Sequence, residues 1–396
     1  MTGWFAPGRL EVLGKHTDYA GGRSLLAAVD RGVRVEARDA NVGVTAQSDA
    51  FPEPIHLLPG VEPDLPDGHW GHYLQTVVDR LTSNFGPLPP THLDITSDLP
   101  LASGMSSSSA LLVASALTLA DRGGFLTSDA WQANIHEDAD LAGYLACVEN
   151  GMSFGSLAGH RGVGTFGGSE DHTAMLCCRP GELSVFSFCP VRRERQVVLP
   201  DDLRFVVAVS GVLAEKTGSA RERYNRASRA CVEIVRTWNT ETGRADVTIA
   251  DAVASAHDAS ERLRALVATS DDLSTRLHQF LVESNHVIPE AADALAAGHL
   301  DRFGDLVDAS MHLATTHLGN QVGETVDLAR LARELGASAA SAFGAGFGGS
   351  VWALVSASDA DAFAEHWLRA YRAAHPEVGA NASTLVTRPG GPAQPL

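Results

Sequence analysis

The sequence predicts an α/β (α+β) chain organised as two domains. Three observations carry that expectation. The chain has 396 residues, 44% of them hydrophobic, which is enough for two packed cores. Its first half mixes strand-like alternation with helical apolar spacing, and its second half is mostly helical and closes on two strand-like segments.

Taken in order, "SLLAAVDRGVRVEARDA" alternates as strands do, and "HWGHYLQTVVDRLTSNFG" places Trp70, Tyr73, Val77 and Leu81 at helical spacing. "THLDITSDLP" reads as a strand running into a loop, and residues 107–119 read as a helix opened by serines. "GELSVFSFCPV" and "LRFVVAVSGV" are strands on either side of a polar connection, "RRERQVVLPDD", which places the domain boundary near residue 195. Residues 1–195 are then the N-terminal domain and 196–390 the C-terminal one. The second domain predicts helices over 219–239, 247–268, 272–298, 300–314 and 325–336, then the strand pair "ASAASAFGAG" and "GSVWALVSA". No internal repeat is visible. The proline- and glycine-rich end "TRPGGPAQPL" reads as disordered, with 391–396 as a flexible tail.

Composition excludes several functions. A net charge of −18 argues against a nucleic-acid partner, which needs clustered Lys and Arg, but leaves room for a small phosphorylated ligand. Five cysteines without metal-ligand spacing read as free thiols in a reducing cytoplasm. The start "MTGWFAPGRLEV" has neither the basic nor the apolar region of a signal peptide. The longest apolar run, "ALLVASALTLA", is about half of the roughly 20 residues that span a bilayer. A cytoplasmic chain without a membrane partner is the expectation.

Three small-residue stretches carry the chemistry. "PLASGMSSSSALLVASAL" sets Gly104 and four serines before an apolar helix, where unpaired N–H groups and the helix dipole favour an anion. The alternative reading is that Ser106 to Ser109 simply cap that helix. The stretch is not the GxxxxGKS phosphate loop. "FGAGFGGSVWALV" packs Gly and Ala around Phe347 before a strand, as a ligand loop or a tight turn. "GRLEVLGKHTDYAGG" holds Lys15, one of only two lysines beside Lys216.

The order of these stretches resembles the three motifs of the GHMP kinases, and the first, "GR-----G-HTDY-GG", is similar to the signature of galactokinases. The likeness extends to "HWGHYLQTVVDRL", "VENGM…GGSEDHTAML" and "ERYNRASRACVEI", nearly the whole chain. It implies a two-domain GHMP kinase fold with ATP and sugar in the cleft, the Gly-rich motif lying at 340–350.

The resemblance also implies roles. Arg9 would counter charge beside the anomeric hydroxyl and γ-phosphate, and Asp171 would accept or orient the proton of the sugar O1. Ser108 and Glu149 would hold Mg²⁺, a cation that prefers hard oxygens. The backbone from Gly104 through Ser106, Ser107, Ser108 and Ser109 would cradle the ATP phosphates. Trp70 would pack on adenine or else belong to the core. His16, Asp18, Gly168 and Tyr224 would hold the sugar, Tyr224 alternatively packing its helix, and Gly346 would shape the same cleft. The implied partners are a small-molecule sugar and ATP, and the implied state a monomer or weak homodimer.

Three departures from the family pattern bear on the substrate. Lys15 stands where galactokinases usually carry Glu, facing C6 of the sugar. A Gly-rich insertion over 151–167, with His160 and Arg161 at its centre, reads as a mobile loop near the sugar. "THLGNQVGETVD" replaces a more acidic stretch, and "SE" and His172 surround Asp171 in place of the usual "IM" and Gln. A Lys at position 15 suits an anionic substituent, so the expected activity is a sugar 1-kinase acting on galactose or, alternatively, on a C6-anionic sugar such as galacturonate. A non-catalytic sugar and ATP sensor is the further alternative.

Overall fold

A computed structural model describes every residue except 1, 52, 101, 102 and 213–217. Lys216 therefore lies outside the described residues. The first sheet has eight strands, β1 (Thr2–Leu13), β2 (Arg23–Asp39), β3 (Val44–Ser48), β4 (Ile55–Leu57), β5 (Thr91–Ser97), β6 (Glu182–Ser187), β7 (Arg192–Val198) and the short β12 (Gln394–Pro395). Their order is β12-β1-β2-β5-β3-β4, with β6 pairing the other end of the long β2 and β7 pairing β6. The second sheet runs β11-β8-β10-β9, from β8 (Leu203–Val209), β9 (Ala339–Ala342), β10 (Ser350–Ser356) and β11 (Ser383–Thr387).

Helices α1 (Gly71–Phe85), α2 (Ser107–Arg122), α3 (Asp129–Gln132), α4 (Asp138–Asn150) and α5 (Glu170–Cys177) accompany the first sheet. The second half adds α6 (Gly218–Thr242), α7 (Ile249–Ala254), α8 (Ala259–Val267), α9 (Asp271–Val282), α10 (Ile288–Ala296), α11 (Leu300–Leu313), α12 (Gly323–Glu334) and α13 (Ala360–Ala374). With few aromatics, the first core is built from Leu10, Val12, Leu25, Leu26 and the α2 residues Leu112, Val113 and Leu119, all fully buried. A second core joins Val206, Val351 and Ala353 to Leu328 and Trp367, and a third lies among α6, α7, α8 and α9.

The structure revises three expectations. "RRERQVV" is not a connection but β7, paired with β6 from Glu182↔Val198 to Ser187↔Arg192. The change of sheet therefore falls at 199–202, one strand end beyond residue 195. The C-terminal segment is not a flexible tail. β1 is an edge strand with unpaired backbone groups, and they are met by Trp4↔Pro395, Phe5↔Gln394 and Leu396 N donating to Gly3 O at 2.9 Å. Finally, the predicted helix over 272–298 is interrupted by a π turn at Glu283–Val287, an irregularity often found at functional positions.

β1 places the site. Leu10 and Val12 face the core, so Arg9 and Glu11 share the opposite face. Register shifts between Pro7 and Arg9, and between Glu11 and Leu13, bracket the two polar residues; such bulges re-aim side chains beside functional positions.

Candidate active site

Arg9 is 3% exposed and its guanidinium bridges two elements. Nε donates to Asp171 Oδ1 on α5 at 2.6 Å, and Nη1 donates to Gly104 O at 2.6 Å. Burial alone would lower its basicity, but the charges of Asp171, Glu170 and Glu11 outweigh that and raise it. Ser106 Oγ also donates to Asp171, and Ser109 Oγ lies 3.4 Å from the same carboxylate. Among the described residues Arg9 and Ser106 thus donate to Asp171 from two elements, with its side chain 16% exposed toward the pocket.

The serine loop meets α2 as the sequence reading expects. Gly104 and Ser106 both take positive φ, +71° and +57°, which turns the chain sharply into the helix. Ala110 N makes the first helical bond, to Ser106 O at 2.9 Å, so the N–H groups of Ser107, Ser108 and Ser109 are not used by the helix. Ser109 Oγ donates to Glu149 Oε2 on α4 at 2.9 Å. Of the expected metal pair Ser108 and Glu149, the structure sets Ser109 rather than Ser108 against Glu149, because the phase of α2 turns Ser109 inward and leaves Ser108 half-buried at the loop. The oxygens of Ser109 and Glu149 fit a hard divalent cation that completes its shell with phosphate oxygens and water. His172, beside Asp171 on α5, is 2% exposed with Nε2 3.3 Å from Glu149 Oε2.

The pocket beside this pair is lined by Arg9, Glu11, His16, Asp18, Glu170, Asp171 and Tyr224, and also by Thr165, Gly167, Gly168, Gly344 and Ala345. His16 sits at φ +59°, with Nδ1 2.8 Å from Tyr19 Oη, Nε2 3.1 Å from Ala345 O and its ring 5.0 Å from that of Tyr224. Asp18 Oδ2 accepts Glu170 N at 3.1 Å, while burial pushes its carboxyl up. Gly168 is required by packing, since a Cβ there would lie 2.4 Å from Asp18 Oδ2. Gly168→Ala therefore displaces Asp18; if Asp18 holds sugar, as the family resemblance implies, the KM for sugar rises about 10-fold or more, with a smaller effect on the KM for ATP in steady-state kinetics.

Several expected residues stand elsewhere. Lys15 is 1% exposed and does not line the pocket; its Nζ contacts Ser341 Oγ at 2.9 Å and Ser310 Oγ at 3.4 Å. Arg161 is exposed and pairs with Glu62, so the insertion contributes Thr165 and Gly167 to the pocket rather than its basic centre. Gly346, at φ +81°, lies behind the wall with Asn320 O only 2.1 Å from where a Cβ would stand. Trp70 is not in the pocket lining and stacks on Phe51 with ring centroids 6.3 Å apart.

Sequence reading missed the contribution of α9 and the π turn. Arg276 donates to His16 O, Gln279 Nε2 to Lys15 O at 3.1 Å, and Glu283 Oε1 accepts Gly14 N at 3.0 Å. These side chains clamp the 14–18 loop from the second half of the chain. No local signal marks them, apart from the presence of an Arg, a Gln and a Glu in an otherwise apolar helical stripe.

Among the described residues no helix is long and apolar enough to cross a membrane. Comparison with known proteins agrees with this geometry. Residues 2–39 match the galactokinase galactose-binding signature, 72–158 the GHMP kinase N-terminal domain and 291–373 the GHMP kinase C-terminal domain. The structure of Lactococcus lactis galactokinase complexed with galactose shares the fold at 23% identity, with a TM-score of 0.79, over 100% of this chain and 95% of that one. L. major mevalonate kinase shares it more distantly, at 18% identity and a TM-score of 0.56, covering 98% of this chain and 96% of that one. A galactokinase of Mycobacterium bovis is 29% identical over 90% of this chain and 89% of its own. With a Chloroflexus aurantiacus galactokinase 31% identical over 90% of this chain and 85% of its own, the chain belongs to the galactokinase family of GHMP kinases.

Proposed function

We propose that this chain is an ATP-dependent sugar 1-kinase that transfers the γ-phosphoryl group to the anomeric oxygen of galactose, with Mg²⁺ as cofactor. The observation that carries the reading is the Arg9–Asp171 pair, set against the serine loop on one side and the sugar-type pocket on the other. The backbone of Gly104 to Ser109 cradles the ATP phosphates. Asp171 orients the sugar O1 hydroxyl and takes its proton, a transfer that comes late because the transition state of phosphoryl transfer is loose. Arg9 sits where charge develops and needs no reorganisation to meet it. Ser109 and Glu149 would hold Mg²⁺, which would neutralise phosphate charge there.

A neutral sugar fits best. Among the described residues Arg9 is the only Lys or Arg in the pocket lining, against the carboxyls of Glu11, Asp18, Glu149, Glu170 and Asp171. Neither Lys15, the cation that favoured an acidic sugar, nor Arg161 of the insertion lines the pocket. The serine loop is intact, which favours a catalyst over a sensor.

The metal assignment has its own test. Ser109→Ala and Glu149→Gln each raise the Mg²⁺ concentration for half-maximal activity by about 10-fold or more, and Ser108→Ala raises it far less. If Ser108→Ala has the larger effect, the metal contact lies one residue earlier on α2.

A further inference from the structure

Lys15 is 1% exposed, and Glu283, the first residue of the π turn, is fully buried. A buried charge is costly unless another group compensates it. Among the described residues neither of these two makes a direct ion pair, and one hydroxyl stands between them. Lys15 Nζ donates to Ser310 Oγ at 3.4 Å, and the same Oγ donates to Glu283 Oε1 at 2.8 Å. That carboxylate oxygen also accepts Gly14 N at 3.0 Å, so the path closes on the residue preceding Lys15. The ammonium donates as well to Ser341 Oγ on β9 at 2.9 Å, and that hydroxyl donates onward to Ala342 O at 3.1 Å. Arg276, the other buried cation at this loop, is taken up by His16 O and Gln279 Oε1.

We propose that Lys15 and Glu283 form one buried ion pair bridged by the Ser310 hydroxyl, and that this strut positions the sugar pocket without touching sugar. Both are positioning residues, and their effect on turnover rests on the kinase reading above. The strut joins two walls of the pocket. Glu283 fixes Gly14 N, at the start of the loop that carries His16 and Asp18 into the pocket. Lys15 holds Ser341, on the strand that leads to Gly344 and Ala345 in the opposite lining. The walls meet where His16 Nε2 lies 3.1 Å from Ala345 O. Slackening the strut shifts His16 against Ala345, while the serine loop keeps the geometry that α2 gives it. A Glu at position 15 would instead set two buried carboxylates one hydroxyl apart, which accounts for the Lys found there.

The test is a double-mutant cycle on Lys15→Met and Glu283→Gln, read by Tm and by steady-state kinetics with galactose and Mg-ATP. Each single change leaves one buried charge uncompensated, so Tm falls. The KM for galactose rises about 10-fold, while kcat and the KM for ATP change less. The double variant removes both charges together. Its Tm loss is smaller than the two single losses combined, and its galactose KM stays about 10-fold below the product of the single effects. Ser310→Ala takes away only the bridge and raises galactose KM in the same direction. Single losses that combine without coupling overturn the pair. A coupled Tm with galactose KM unmoved in every variant overturns the positioning role. Should a single variant fail to fold, Ser310→Ala decides: a raised galactose KM supports the strut, and parent values of Tm and KM overturn it. A parent that phosphorylates no sugar removes the kinase reading, and coupling in Tm still decides the pair.

Discussion

Asp171→Asn lowers kcat by at least about 10²-fold, the scale on which a general base acts, while ATP affinity stays close to that of the parent. The amide keeps the shape of the carboxylate and one acceptor for Arg9 Nε, now 2.6 Å from Asp171 Oδ1. It cannot take the proton of the sugar O1, and its NH2 group cannot accept from Ser106 as the second carboxylate oxygen does. The backbone N–H groups of the serine loop proposed to cradle ATP are unchanged by the substitution, so kcat and ATP Kd are expected to separate. Steady-state kinetics with an equilibrium ATP titration make the check. Near-normal turnover would place the base elsewhere, with Glu170, the preceding residue of α5, as the next carboxyl in the pocket.

Arg9→Met lowers kcat/KM by about 10³-fold, comparable to losing a preorganised donor at a site of developing charge. The change also leaves Asp171 and Gly104 O without their guanidinium partner. Breaking a buried ion pair costs about 3–5 kcal/mol, so Tm falls with activity and both must be followed. Arg9→Lys separates the two effects. It restores a positive charge but not a fork that reaches Asp171 and Gly104 together, and it recovers less than about 10-fold of the loss. Because Arg9 and Asp171 act as a unit, the double variant Arg9→Met with Asp171→Asn loses much less than the product of the single losses. Strict additivity would show that the two residues act independently.

Much of this site was legible because local rules determine it. Period-2 alternation places Arg9 and Glu11 on one face of β1, and a serine run before an apolar stretch marks a helix start with free N–H groups. What escaped was tertiary. Lys15 finds its hydroxyl partners Ser310 and Ser341 at sequence separations of 295 and 326 residues, so no window around "GKHTDY" reveals that it turns into the interior. Ser109 rather than Ser108 meets Glu149 because the phase of α2 depends on where its first turn begins, one residue after a left-handed Ser106. The end "GGPAQPL" reads as loop by composition and becomes ordered only because the edge of β1 needs partners. The charged run "RRERQVV" obscured a strand whose outward face is simply exposed.

The measurement that bears most directly on the central claim is the product of a single incubation with Mg-ATP and each of two sugars, galactose and galacturonate, followed by phosphorus NMR and initial rates. The account predicts an anomeric phosphate on galactose, formed with much the larger kcat/KM, since Lys15 turns to Ser310 and Ser341 and, among the described residues, Arg9 is the only Lys or Arg in the pocket lining. Transfer that prefers galacturonate, or ATP and galactose binding without any phosphoryl transfer, would contradict it.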